Sequence, residues 1–155
     1  MAAIDAAYAT VHGVEAIVNA ASVRFFARSG HSFVAERVDA AGGAACVGFV
    51  FAHAVWRGDR AAVQTARLAV ADGAGTGASD ALVAALTKSA YDSGVYDLTV
   101  AAPRSDASFA DALRMASFRE VDVVTFARTL GSRGAAGGGV TNASVARAAG
   151  GDEHG

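Results

Sequence analysis

Between an apolar run and an alanine-leucine segment the sequence reads ADGAGTGASDAL, residues 71 to 82. Gly73, Gly75 and Gly77 alternate with small residues just ahead of a helical pattern. That arrangement suits anion chemistry, because the first N–H groups of a helix lack intrahelical partners and its dipole favours negative charge there. The turn is therefore either a cradle for the phosphates of a nucleotide-like cofactor or a plain flexible connection. Two familiar phosphate signatures do not fit it. A dinucleotide-binding turn wants G-x-G-x-x-G, with an acid about 20 residues on at the end of the next strand. Here the sixth place is Ala78, and the acid at that distance, Asp97, stands at the start of its strand. A Walker A loop needs G-K-[ST], which is absent.

Other side chains with chemical capacity are scattered. His53 follows GFVFA in a strand pattern, and histidine is a residue type suited to general-base work; an isolated strand histidine also serves structure. His31 opens a strand after Gly30 and reads the same two ways. Gln64, Thr65 and Glu36 are further polar residues on strand patterns, and the carboxylate of Glu36 is a general-base type. Tyr91 and Tyr96 read as packing, and Cys46 as a strand-start thiol among apolar neighbours. No Ser–His–Asp arrangement and no metal-ligand spacing stands out.

The elements that would position these groups follow from periodicity. Residues 13 to 29, GVEAIVNAASVRFFARS, place Val14, Ile17, Val18, Ala21 and Phe25 at helical spacing, and Gly30 is a suitable cap. HSFVAERV alternates as a strand; ACVGFVFAHAVW and RAAVQTARLAV are two further strands joined by the turn RGD. Such short links predict an antiparallel meander. After the glycine turn, SDALVAALTKSAYDSG predicts a helix, VYDLTVAA a fourth strand, SDASFADALRMAS a short helix and FREVDVVTFARTL a last strand or strand pair. The strand–turn–helix–strand unit implies one parallel pair in a mixed sheet. The N-terminal segment lacks a clear first strand, so the sheet is expected to be one strand short or irregular there.

From the hairpin strand through Leu130 this order of elements resembles the GNAT family of N-acetyltransferases. The acetyl-CoA loop of that family reads [RQ]-x-x-G-x-[GA]. Aligned on Leu82 it falls on AGTGAS, with Ala74 in the Arg/Gln place, Gly77 on the first small residue and Ser79 on the second. The family's Asn at the start of the next helix, its Tyr seven residues later and its Gly-Phe four further on match Asp106, Leu113 and Ser117-Phe118 in spacing, with different residues. RFFARSGHSFVAE and VWRGDR are similar to a small bacterial branch of the family, known only as a domain of unknown function. The resemblance implies an α/β (α+β) fold with a mostly antiparallel central sheet flanked by helices, in which a bulge splays one parallel strand pair. It implies acetyl-CoA as co-substrate. Its pantetheine arm would run along the backbone of Leu68, Ala69 and Val70. Its pyrophosphate would meet the amides of Gly75, Thr76, Gly77, Ala78 and Ser79, with Ser79 capping the helix or donating its hydroxyl. The implied reaction is acetyl transfer to an amine, in a small molecule or a peptide. The family's usual proton donor is Leu113 here, so the catalytic residues are not assigned. Asp72 and Asp80 flank the loop, and no basic residue lies between Arg67 and Lys88, a field that opposes a pyrophosphate. The alternative is a non-catalytic GNAT-fold module that binds a ligand or a protein, as a homodimer built on the last strand.

Composition narrows the setting. The 155 residues are 53% hydrophobic and 18% charged, with a net charge of −2; no clustered basic excess points to nucleic acid. One cysteine allows no internal disulfide and no Cys-based structural metal site. The N-terminus lacks the basic start and apolar core of a signal peptide, and no apolar run approaches the roughly 20 residues of a membrane span. A cytoplasmic protein without a membrane partner is the expectation. From Gly131 the chain is small and polar, and it has too little apolar surface to offset its ordering entropy. The reading is a domain over 1–130 and a disordered tail over 131–155.

Overall fold

The apolar run around Val50 becomes the central strand of the molecule, and everything that positions the glycine turn is built on it. A computed structural model describes residues 1–122. Its strands are β1 (Phe33–Val38), β2 (Ala44–Trp56), β3 (Ala61–Val70) and β4 (Asp97–Thr99). Its helices are α1 (Ala2–His12), α2 (Ala20–Phe26), α3 (Thr76–Asp92) and α4 (Ala107–Met115). The sheet order is β1-β2-β3-β4; the first three strands run antiparallel and β3 pairs β4 in parallel. The meander and the single parallel pair are those expected. Residues Met1–Glu120 form one compact unit.

The N-terminal region differs from its expected form. The helix expected over residues 13 to 29 is confined to α2, and α1 precedes it where no element was expected. Gly13 ends α1 in the left-handed conformation, φ 64°, which glycine adopts without the penalty a Cβ brings. Asn19 then starts α2 through a capping box, accepting from Ala21 and Ser22 while Ser22 Oγ accepts from the Asn19 amide. Between these caps Val14 to Val18 makes no helical turn; the Val14 amide donates to Ala9 O, and those of Ile17 and Val18 donate to the Asp5 carboxylate. The fourth strand is also shorter than VYDLTVAA. Phe118–Asp122 carries no strand. The rest of the expected last strand, the domain boundary at 130 and the tail expected over 131–155 lie outside the described residues.

Two cores sandwich the sheet. On one face Val50, Ala52, Val63 and Leu68 meet Leu82, Val83, Leu86 and Ala90 of α3 and Phe109 and Leu113 of α4. On the other, Phe49, Phe51 and Ala69 meet Phe26, with Ile4, Tyr8, Ile17 and Val18 packed around them. Gly48 lets α3 approach, since a Cβ there would meet Leu82 Cδ1 and Val70 Cγ2 at 3.2 Å.

Strand β3 contains one irregularity that governs the rest. Phe51 faces Arg67 but Ala52 faces Thr65, so Ala66 is an extra residue on β3, a bulge. Side chains alternate along a strand; the added residue reverses that alternation. Val63 and Leu68, of opposite parity, thus join the same α3/α4 core, while Arg67 and Ala69 turn to the α1/α2 side.

Candidate functional site

Pairing between β3 and β4 covers only Ala62–Asp97, Val63–Leu98 and Gln64–Thr99. At the next position the contact is no longer a backbone ladder: the amide of Ala101 donates to Thr65 Oγ1 at 3.1 Å. The bulge follows at Ala66. From there to Val70, β3 has β2 as its only strand partner among the described residues. The parallel pair is therefore splayed at its C-terminal end, and the residues on the free edge include Leu68, Ala69 and Val70. Leu68 and Ala69 are buried at 3% and 0% exposure, their side chains in the two cores. Only their main chain is left to serve a ligand.

The strand leads into the glycine turn. Ala71 donates to Val47 O at 2.8 Å and Ala74 to Ala71 O at 3.1 Å, closing the turn. Gly73 and Gly75 take φ of 72° and 81°, a region closed to most side chains. The helix begins at Thr76, three residues earlier than expected, with Gly75 as a cap that has no side chain to offer. Ser79 is consequently not the N-cap; it lies within the first turn. α2 and α4 differ, with Asn19 and Asp106 accepting from their first-turn amides. A Cβ built on Gly77 meets nothing within 4 Å, so the space in front of this turn is open. Gly75, Thr76, Gly77, Ala78 and Ser79 thus form one uncapped helix start at the end of the splayed strand. Asp72 and Asp80 beside it are exposed.

The candidate acid–base residues are dispersed. Thr65 is buried and committed to Ala101. Glu36 lies exposed on β1, away from the parallel pair. His31 is buried, its Nδ1 3.1 Å from Ser89 Oγ, and burial lowers its pKa. Tyr91 and Tyr96 are exposed and pack edge to face, centroids 5.9 Å apart. Cys46 Sγ lies 3.6 Å from Gly48 O. Leu113 is buried in the α3/α4 core. His53 faces α2, its ring 5.8 Å from those of Phe25 and Phe26, opposite the exposed Gln64.

A chain of polar side chains that sequence reasoning missed spans the opening instead. Asp5 of α1 is 1% exposed. Its Oδ2 accepts from the amides of Ile17 at 2.5 Å and Val18 at 2.8 Å, and its Oδ1 lies 3.3 Å from Arg67 Nε. Arg67 also donates to the carbonyl of Glu15, and its guanidinium stands 5.4 Å from the Tyr8 ring centroid. Tyr8 donates to Asp106 Oδ2 at 2.9 Å. The His12 ring packs on that of Tyr8 at a tilt of 48°, centroids 4.3 Å apart, with Nδ1 3.0 Å from Ser105 Oγ and Nε2 3.7 Å from Asp106 Oδ2. Arg67 belongs to the free part of β3, and Ser105 and Asp106 follow β4, so α1 ties the two diverging chains together. Burial, then the bond to Asp106 and its charge, raises the Tyr8 pKa far above the ordinary value, with Arg67 opposing. The phenol stays protonated. The readable signal was the spacing of Asp5, Tyr8 and His12, which shares one helical face.

A family model described as a protein of unknown function, DUF1999, matches residues 14–141. Solved structures extend the comparison. Wild-type TTHA1254 from Thermus thermophilus is 34% identical over 80% of this chain and 88% of that one, with a TM-score of 0.63. A ribosomal-protein-alanine N-acetyltransferase from Brucella melitensis biovar Abortus 2308 is 21% identical over 83% and 90%, TM-score 0.58. An aminoglycoside acetyltransferase from an uncultured soil metagenomic sample is 18% identical over 83% and 85%, TM-score 0.62. These last two share the fold of this chain, a GNAT-like one. No curated protein matches. No described helix is long and apolar enough to cross a membrane.

Proposed function

The chain belongs to the DUF1999 family, and from that premise we propose that it is an acetyl-CoA-dependent N-acyltransferase, acting on an amine of a small molecule or peptide. The observation that carries this reading is the splay: the β3–β4 ladder stops at Gln64–Thr99, directly before the bulge, and the free strand runs into a helix start without a side-chain cap. The residues fit the cofactor. The main chain of Leu68, Ala69 and Val70 would hold the pantetheine arm as an added strand does, and the amides of Gly75 to Ser79 would hold the pyrophosphate. Bound there, the cofactor supplies an activated acetyl thioester.

Within this reading water gives the proton to the leaving thiolate, since Leu113 has no hydroxyl to offer and the Tyr8 hydroxyl is bonded to Asp106 and held protonated. A second reading, ligand binding without turnover, is favoured by that same buried leucine and by the exposed carboxylates of Asp72 and Asp80. Calorimetric titration of CoA and acetyl-CoA into the full chain, with Gly77→Glu as control, tests the cradle. The added carboxylate enters open space and should abolish micromolar binding without unfolding the protein. Absence of binding up to millimolar ligand overturns the proposal. Binding without CoA release from acetyl-CoA across an amine panel selects the second reading.

A further inference from the structure

A cavity of about 670 Å³ lies between α2 and β2, lined by Ala21, Arg24, Phe25, Arg28, His53 and Ala54, with Ser29 at its edge. It stands apart from the glycine turn and uses none of its residues. Its volume is in the range of small-molecule sites, about 300–1,000 Å³.

The chemistry of its wall is one-sided. Arg24 and Arg28 are four residues apart, along α2 and the turn that follows it, so both guanidinium groups reach the same side. Neither pairs with a carboxylate among the described residues, although the chain as a whole has a net charge of −2. No acidic side chain lines the cavity. Ser29 has already committed its hydroxyl to Phe26 O and Ser32 Oγ. His53 contributes a further polar group. Its Nδ1 is buried without a hydrogen-bond partner among the described residues. The remaining wall is apolar: Phe25 is 59% exposed, with Ala21 and Ala54 beside it.

We infer that this cavity is a binding site for a small organic oxyanion, whose charged group lies between Arg24 and Arg28 and whose apolar body covers Phe25. Arginine suits such a group because its planar fork matches carboxylate and phosphate oxygens in pairs. The proposal stands without the acetyl-transfer reading, but the two sites are close. His53 faces Gln64 on β3, and Gln64 faces Thr99 on β4 where the parallel ladder ends. Two strand spacings separate His53 from that point, about 10 Å.

The test uses the full chain with no CoA present, so that it fails or succeeds independently of the cofactor cradle. Benzoate, phenyl phosphate and the uncharged benzamide are titrated while the imidazole signals of the histidines are followed by NMR. The expected result is saturable movement of the His53 ring with at least one oxyanion and not with benzamide. Preference for benzoate identifies a carboxylic acid as the natural ligand class; preference for phenyl phosphate identifies a phosphate ester. Arg24→Gln and Arg28→Gln should each weaken binding roughly tenfold, and both residues are exposed, so the fold survives their loss. Arg24→Lys, which keeps the charge and loses the fork, should fall in between. Equal binding of benzamide, undiminished binding by both glutamine variants, or no saturation with either oxyanion overturns the proposal.

Discussion

Replacing Arg67 with methionine should be the most damaging single change among the described polar residues. Asp5 is 1% exposed and Arg67 is 9% exposed, so neither charge has water to fall back on. Asp5 Oδ2 is satisfied by two backbone amides, but Oδ1 has Arg67 alone, at 3.3 Å. Removing the guanidinium leaves a buried carboxylate oxygen without a partner, and breaking a buried pair in this way costs about 3–5 kcal/mol. Against a total stability of about 5–15 kcal/mol that is a large share. With a urea m-value of about 2 kcal/mol per molar, the unfolding midpoint should fall by about 1.5–2.5 M. The assay is urea unfolding followed by circular dichroism. A double variant, Asp5→Asn with Arg67→Met, supplies the control: the asparagine oxygen still accepts from Ile17 and Val18, and no charge is left buried, so the double variant should be more stable than Arg67→Met alone. A midpoint drop below about 0.5 M for the single variant (about 1 kcal/mol), or a double variant no better than the single, would refute the reasoning.

Two further outcomes follow from the same region and from the opposite face of the sheet. Tyr8→Phe should lose the bond to Asp106 and cost about 1 kcal/mol of stability, read as a fall in the urea midpoint; an unchanged midpoint would show that this bond does not hold α1 across the opening. His31 has a pKa lowered by burial, so above about pH 6.5 it is neutral in both states and its environment carries no penalty. As pH falls through that value the unfolded chain takes up the proton first, and stability is lost down to the folded-state pKa. Between about pH 7.5 and pH 5.5 the urea midpoint of the wild type should therefore drop more than that of His31→Gln, and equal drops would exclude His31 as the cause.

The middle of the molecule was legible because its signals are local. Alternation marks β1, an unbroken apolar run marks β2, and the glycine turn between a strand and a helix implies the parallel pair. The N-terminal region was less legible because its order depends on caps. Gly13, Asn19 and Ser22 interrupt what periodicity alone joins into one helix. Residue type puts the start of α3 too late because Ser79 is the stronger capping residue, whereas Gly75 with its positive φ is the residue that turns the chain. The polar chain from Asp5 to Asp106 was hidden for a different reason: its members lie up to 98 residues apart in bonded pairs, and only the packing of α1 across two strand ends brings them together. The α2 cavity was half visible, since His53 stands out by type and the spacing of Arg24 and Arg28 puts them on one polar face, but the packing of α2 against β2 that brings the three together is not written locally.

The extra residue at Ala66 has a consequence for how this chain can change over time. The bulge is set by a count, five steps where a regular strand takes four from Val63 to Leu68, and by no property of the exposed alanine side chain. Substitution at Ala66 is therefore cheap, whereas its deletion would restore a regular ladder, with Arg67 still opposite Phe51 on the α1/α2 side, and would remove the irregularity beside which β3 parts from β4. The strand stores its instruction as a length, and a drifting lineage can rewrite its letters far more freely than its spacing.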